Sequence, residues 1–78
     1  MTKAELNSAL LLAHELNSNS EDKALTLVSL YRQAYELSVN ENTDAAYFYL
    51  TNAYVYALES DHVDVEQIAN TLRQAGRL

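Results

Sequence analysis

The longest apolar stretch of the chain runs from residue 45 to residue 58, and it predicts the central helix of the fold. Within it only Thr51 and Asn52 are polar. The stretch exceeds the usual length of a β-strand and contains neither Gly nor Pro, which favours a helix. A helix that is apolar around most of its circumference is buried on most sides. One helical stripe is formed by Ala46, Leu50, Ala53, Tyr54 and Ala57.

Apolar residues at the same helical spacing predict three further helices. The first stripe contains Leu6, Ala9, Leu10, Ala13 and Leu16. The second contains Ala24, Leu27, Val28, Tyr31, Ala34, Tyr35 and Ser38, and the last Val65, Ile68, Ala69, Leu72 and Ala75. We therefore expect helices over about residues 3–16, 21–39, 44–59 and 65–75. Short connections favour antiparallel neighbours, so the predicted fold is all-α, with four antiparallel helices in two hairpins forming a small bundle.

Residues that favour helix starts precede each of the first three predicted helices. Thr2 and Glu5 have the spacing of a capping box, in which each residue bonds the backbone of the other. Ser20 is placed to cap the second helix, and the segment 42–44, Asn-Thr-Asp, offers side-chain oxygens at the start of the third. These signals fix the expected boundaries more closely than the apolar pattern alone.

The fourth helix has signals at both ends. Asp64 stands at its N-cap position, and Val63 is spaced to pack on Ile68 as a hydrophobic staple. Gly76 is expected to end the helix in a left-handed conformation.

Composition limits the function classes. The 78 residues fit one domain, 1–78, without Cys for a disulfide or a thiolate metal site. The net charge of −6, with scattered basic residues, argues against nucleic-acid binding. The sequence has no apolar run long enough to span a membrane and no secretory signal at its N-terminus, so we expect a soluble cytoplasmic protein.

Two groups of polar residues are candidates for sites of chemistry. The cluster Glu59, Asp61, His62, Asp64 and Glu66 lacks the length and the Gly of a calcium loop, so we interpret it as a solvated turn and expect no metal site. His14 and His62 are the only histidines, and no nucleophile motif accompanies them. A single Gly excludes a glycine-rich phosphate loop. We therefore predict no catalytic residue, no cofactor and no enzyme activity.

The central helix resembles the first helix of a tetratricopeptide repeat. The residues that match the motif are Tyr47, Leu50, Ala53 and Tyr54. The likeness covers about fourteen residues, Thr51 stands where the family has Gly, and no Pro ends the second helix. A weak internal echo, with Glu5–Glu15 over Tyr49–Glu59, has a period of 44 residues and not the family's 34. The resemblance implies packed helical hairpins and a peptide-holding groove, without any particular binding residue.

The number of aromatic rings predicts a surface that a partner covers. Rings spread around one helix exceed what thin neighbouring helices cover, and exposed aromatic patches mark interfaces. We expect a protein-interaction module that forms a homodimer, with contact residues Tyr49, Tyr56, Leu25, Leu30 and Leu37. Two alternatives are a small-ligand pocket beside Thr51 and Asn52, and a regulatory partner of a larger protein.

Overall fold

A computed structural model describes residues 2–15 and 20–78, most of which lie in four helices. These are α1 (Lys3–Glu15), α2 (Ser20–Ser38), α3 (Thr43–Glu59) and α4 (Val65–Gln74). The predicted all-α class is confirmed, and the described residues contain no strand. Leu16, the predicted end of the first helix, lies outside the described residues. The predicted cap by the Ser20 side chain likewise lies outside what the structure describes.

The starts of α1 and α3 follow their sequence signals. The Glu5 N–H donates to Thr2 Oγ1 over 3.1 Å, and the Thr2 N–H donates to Glu5 Oε1 over 3.3 Å. The capping box is therefore confirmed, and hydrogen bonding of the Glu5 carboxylate by the Thr2 backbone, followed by the Thr2 side chain, lowers the pKa of Glu5. At α3, Asn42 Oδ1 accepts from the Ala45 N–H over 3.1 Å, which satisfies one free donor of the first turn.

The predicted cap of α4 is wrong. Asp64 occupies the N-cap position, but its side chain makes no capping hydrogen bond. Its carboxylate instead accepts a bond of 2.7 Å from Arg32 Nη1 on α2. The predicted staple also fails, because Val63 is 93% exposed. The preceding turn, in which Asp61 has a left-handed φ of 52°, directs the His62 side chain inward, leaving it only 20% exposed.

Gly76 ends α4 as predicted. Its φ is 73°, a region that residues with a Cβ rarely adopt. The Arg77 N–H then donates to the Leu72 carbonyl over 2.8 Å, and the Gly76 N–H donates to the Arg73 carbonyl over 3.0 Å. These reversed bonds satisfy carbonyls that the end of a helix leaves free.

Packing runs from each helix to the next along the described chain, and the α2–α3 interface is the most extensive. The ion pair of Lys3 with Glu41 and the hydrogen bond of His14 with Tyr31 support the predicted antiparallel orientation of α1 and α2. The Cα atoms span 34 × 28 × 14 Å, so the body is flattened. The α1-side core contains Leu6, Leu10, Ala13, Leu27 and Ala34, and the α4-side core contains Val28, Leu50, Ala53, Ala57, Ile68 and Leu72.

The inner face of α3 combines Leu50 with small residues. Ala46, Ala53 and Ala57 have no exposed surface, and Leu50 is 3% exposed, as predicted. Alanine side chains let two helix backbones approach closely, which agrees with the extent of the α2–α3 interface. The inner face therefore sets the position of α3, and with it the direction of every other side chain on the helix.

Candidate functional site

The opposite face of α3 carries large apolar side chains in contact with water. We call Phe48, Thr51, Val55 and Leu58 the outer stripe; their spacing of three and four places them on one side of the helix. Phe48 is 64% exposed, Leu58 54% and Val55 45%. Such a row on a surface helix is unusual, because solvent-facing positions are ordinarily polar.

Thr51 and Asn52 satisfy their polar groups on the surface of α3 itself. Thr51 Oγ1 donates to the Tyr47 carbonyl over 2.8 Å, and Asn52 Nδ2 donates to the Phe48 carbonyl over 2.9 Å. Neither residue lines the cavity between α2 and α4 or the opening beside it. The structure therefore gives these two residues local bonds on the helix and no place in that cavity.

The two tyrosines expected at an interface face into the molecule. Tyr49 and Tyr56 are half-buried and pack against the α1-side core. The ring of Tyr56 stacks on Tyr31, with centroids 5.9 Å apart and planes 7° apart. Both therefore lie on the flank of α3 that α1 and α2 cover, because the buried alanines rotate the helix in this sense.

The leucines of α2 that were expected at the same interface divide into two kinds. Leu25 is 41% exposed and Leu37 is 39% exposed. Leu30 is half-buried and packs against the α1-side core. Only the first two are thus free to meet a partner without rearrangement of the helices.

His14 joins two tyrosines in an aromatic cluster to which α1, α2 and α3 each contribute a ring. Its ring centroid lies 6.0 Å from those of Tyr31 and Tyr56, and its Nε2 forms a hydrogen bond of 2.9 Å with the Tyr31 hydroxyl. Burial, followed by the neighbouring tyrosines Tyr56 and Tyr49, raises the pKa of Tyr31. The Tyr31 hydroxyl is therefore neutral at physiological pH and serves as a hydrogen-bonding group that connects the helices.

The acidic turn between α3 and α4 brings together only part of the polar cluster noted in the sequence. The Asp64 N–H donates to His62 Nδ1 over 3.0 Å, and Asp64 Oδ2 lies 3.9 Å from the same nitrogen. No group of three His, Asp or Glu side chains within residues 2–15 and 20–78 is arranged to hold a metal ion. The turn is connected to α2 by the hydrogen bond that Arg32 donates to Asp64.

A groove between α2 and α4, which we call the α2–α4 groove, lies beside that bond. Its cavity of about 200 Å³ has the buried residues Leu50 and Ile68 in its lining. An adjoining opening of about 300 Å³ shares Arg32 and Glu36 and reaches His62 and Asp64. The remaining lining residues of the groove are Tyr35, Gln67 and Thr71.

Sequence reasoning missed this groove, although one signal was present. Arg32 and Glu36 are four residues apart on a predicted helix and so share a face. Nothing local indicates that α4 supplies the opposite wall, since Gln67 and Thr71 lie more than thirty residues further along the chain.

Comparison with known proteins found no protein-family model, no curated protein and no solved structure that matches the chain. The resemblance to the tetratricopeptide repeat therefore stays a prediction. Among the helices described, none combines the length and the apolarity that crossing a membrane requires. Proposals about function accordingly rest on the outer stripe and on the α2–α4 groove.

Proposed function

We propose that this protein is a protein–protein interaction module that forms a homodimer through the outer stripe of α3. The observation that carries the proposal is the exposure of Phe48, Val55 and Leu58 on one face of a helix whose other face is the core. Neighbouring exposed apolar side chains of this kind mark protein interfaces. We keep the homodimer that the sequence predicts. Its contact on α3 is now assigned to Phe48, Val55 and Leu58 in place of Tyr49 and Tyr56.

The outer stripe is complementary to a second copy of itself. In a two-fold dimer the same patch is presented twice. If two α3 helices pair antiparallel about an axis midway between Thr51 and Val55, Phe48 of one copy faces Leu58 of the other, and Thr51 faces Val55. Thr51 is small and stands between the large residues, so it lets the helices approach at the axis. An aromatic ring would then meet aliphatic side chains at each end.

The area that a dimer requires extends the contact beyond α3. A standard interface buries about 800 Å² on each partner, roughly a sixth of this chain's accessible surface of 4926 Å². The large side chains of one helical stripe supply only part of that area. Leu11 and Leu12 of α1 are 66% and 64% exposed. These leucines are apolar area that α1, which packs on α2, leaves available to a partner.

The charge of the chain gives the association a recognisable salt dependence. Each copy carries a net charge of −6, so two copies repel each other at low ionic strength. Salt screens this repulsion and leaves the apolar contact intact. The dimer should therefore strengthen as sodium chloride is added. Binding of a basic partner would weaken under the same change, which separates the two kinds of association.

The test compares two pairs of substitutions by sedimentation equilibrium at tens of micromolar protein. Phe48→Gln with Val55→Gln removes apolar area from the outer stripe without adding charge, and glutamine is a good helix former. Leu25→Gln with Leu37→Gln is the matched control on the exposed side of α2. We expect wild type and control at twice 8.8 kDa, and the outer-stripe variant at 8.8 kDa with unchanged helicity.

Two results would overturn the proposal. A monomeric wild type would remove the homodimer. A dimer that survives the outer-stripe substitutions and is lost in the control would place the contact on α2.

A further inference from the structure

Glu36 lies where a carboxylate is electrostatically unfavourable and has no compensating contact. It stands in the last turn of α2, at the negative end of the helix dipole, and that turn contains no basic residue. No hydrogen bond or ion pair reaches its carboxylate from the described part of the chain, and it faces the α2–α4 groove. A carboxylate at the negative end of a helix breaks the usual match between side-chain charge and helix dipole. Such a departure without an evident structural gain is characteristic of a functional position.

Arg32 lies one helical turn earlier and lines the same groove. Its Nη1 is held by Asp64 at 2.7 Å, while its side chain is still 32% exposed. A guanidinium has five N–H donors, so donors remain after this bond. Arg32 and Glu36 form no ion pair with each other. The groove thus presents Arg32, which is paired with Asp64 but keeps further N–H donors, one helical turn from Glu36, a carboxylate without an ion pair among the described residues.

The rest of the groove presents more polar than apolar surface beside these charges. Leu50 and Ile68 form its base but are only 3% and 2% exposed, and Gln67 lines it without a side-chain hydrogen bond among the described residues. The cavity of about 200 Å³ is open to solvent and adjoins the opening of about 300 Å³ that shares Arg32 and Glu36. Together they admit a small metabolite.

We propose that the α2–α4 groove binds a small zwitterion of the α-amino acid class. The ligand's carboxylate accepts charge-assisted hydrogen bonds from Arg32, and its ammonium donates to Glu36. The site goes beyond the proposed dimer, because it lies between α2 and α4 and uses no residue of the outer stripe.

The first test follows backbone amides by NMR while L-leucine is added to the full chain. Leucinamide and isocaproate are added in parallel, since the first lacks the carboxylate and the second lacks the ammonium. We expect saturable shifts for leucine at Gln67, Ile68 and Thr71, and binding of both analogues weaker by at least about tenfold. The proposal fails if leucine causes no saturable shift up to about 10 mM, or if either analogue binds as well as leucine.

The second test removes one charge from the groove. Glu36→Gln should keep the fold, because the carboxylate makes no structural contact, and should weaken leucine binding by at least about tenfold. Glu59→Gln, on the exposed end of α3, is the matched control and should bind as wild type. Equal binding by Glu36→Gln and wild type would overturn the assignment. The outer-stripe variant Phe48→Gln with Val55→Gln should retain leucine binding, so this site and the dimer are tested separately.

Discussion

The two faces of α3 reverse the ordinary relation between the size of an apolar residue and its burial. The inner face contains Ala46, Ala53 and Ala57, which are fully buried. The outer face contains Phe48 and Leu58, which are more than half exposed. Size alone therefore does not decide which side of an apolar helix is buried. The small residues allow the closest approach to α2, and the large residues are left on the opposite side.

In the proposed dimer, this difference separates stability from association on a single helix. Substitutions on the inner face should change the free energy of unfolding, because they alter a packed interface. Substitutions on the outer stripe should leave unfolding nearly unchanged and alter self-association. Single substitutions on the two faces test that separation.

Leu50→Ala should cause the greatest loss of stability. Leu50 is 3% exposed and belongs to the α4-side core, so truncation leaves a cavity between α3 and its neighbours. We expect a loss of about 2–5 kcal/mol in the free energy of unfolding, measured by urea denaturation. A loss below about 0.5 kcal/mol would show that the inner face does not hold α3 in place.

Ala53→Leu tests the close approach directly. Ala53 has no exposed surface, so a larger side chain must displace α2 or distort α3. We expect a loss of about 1–3 kcal/mol. Thr51→Leu introduces the same side chain on the outer stripe and should cost much less. If both variants unfold at the same urea concentration as wild type, the inner face is not closely packed.

Asn42→Ala removes the cap of α3, on which both faces depend. Its side chain accepts from the Ala45 N–H, so the expected loss is about 1 kcal/mol.

Asp64→Ala removes an ion pair with Arg32 and no cap, and both partners are about one-third exposed. Its loss should therefore fall in the range of about 0–1 kcal/mol. Thermal unfolding of both variants at low and at high salt distinguishes them, since added salt should reduce only the effect of Asp64→Ala. A salt-sensitive effect of Asn42→Ala would contradict the assignment of its role.

Val55→Gln should have the smallest effect on unfolding. Val55 lies on the outer stripe and is 45% exposed, so the change should remain within about 0.5 kcal/mol at protein concentrations where the chain is monomeric. Weaker self-association should accompany this unchanged stability. A clear loss of stability in the monomer would mean that the outer stripe is part of the core.

Much of the fold follows from local patterns, since the helix limits agree within one or two residues wherever they are described. The bonds of Thr2 with Glu5, the Asn42 cap and the left-handed Gly76 involve residues close in sequence. The role of Asp64 was missed because its partner, Arg32, is 32 positions away. Turn residues with several available partners cannot be assigned from neighbours alone.

The candidate surfaces were less accessible to sequence reasoning than the helices. An apolar stripe defines a buried side only where polar residues mark the other side, and α3 has few of these. The rotation that places Tyr56 inward and Phe48 outward therefore depends on how α3 meets α2. The α2–α4 groove depends in the same way on tertiary packing, which brings Gln67 opposite Arg32.

The packing of each helix on the next also has a consequence for how quickly the chain folds. Contacts between consecutive helices join residues that are near in sequence, and domains rich in such contacts fold in microseconds to milliseconds. The α2–α3 hairpin, which has the most extensive interface, is the expected folding nucleus. Leu50→Ala should then slow folding more than it speeds unfolding, as stopped-flow kinetics would show. The ion pairs of Arg32 with Asp64 and of Arg77 with Asp44 would form after the helices have met.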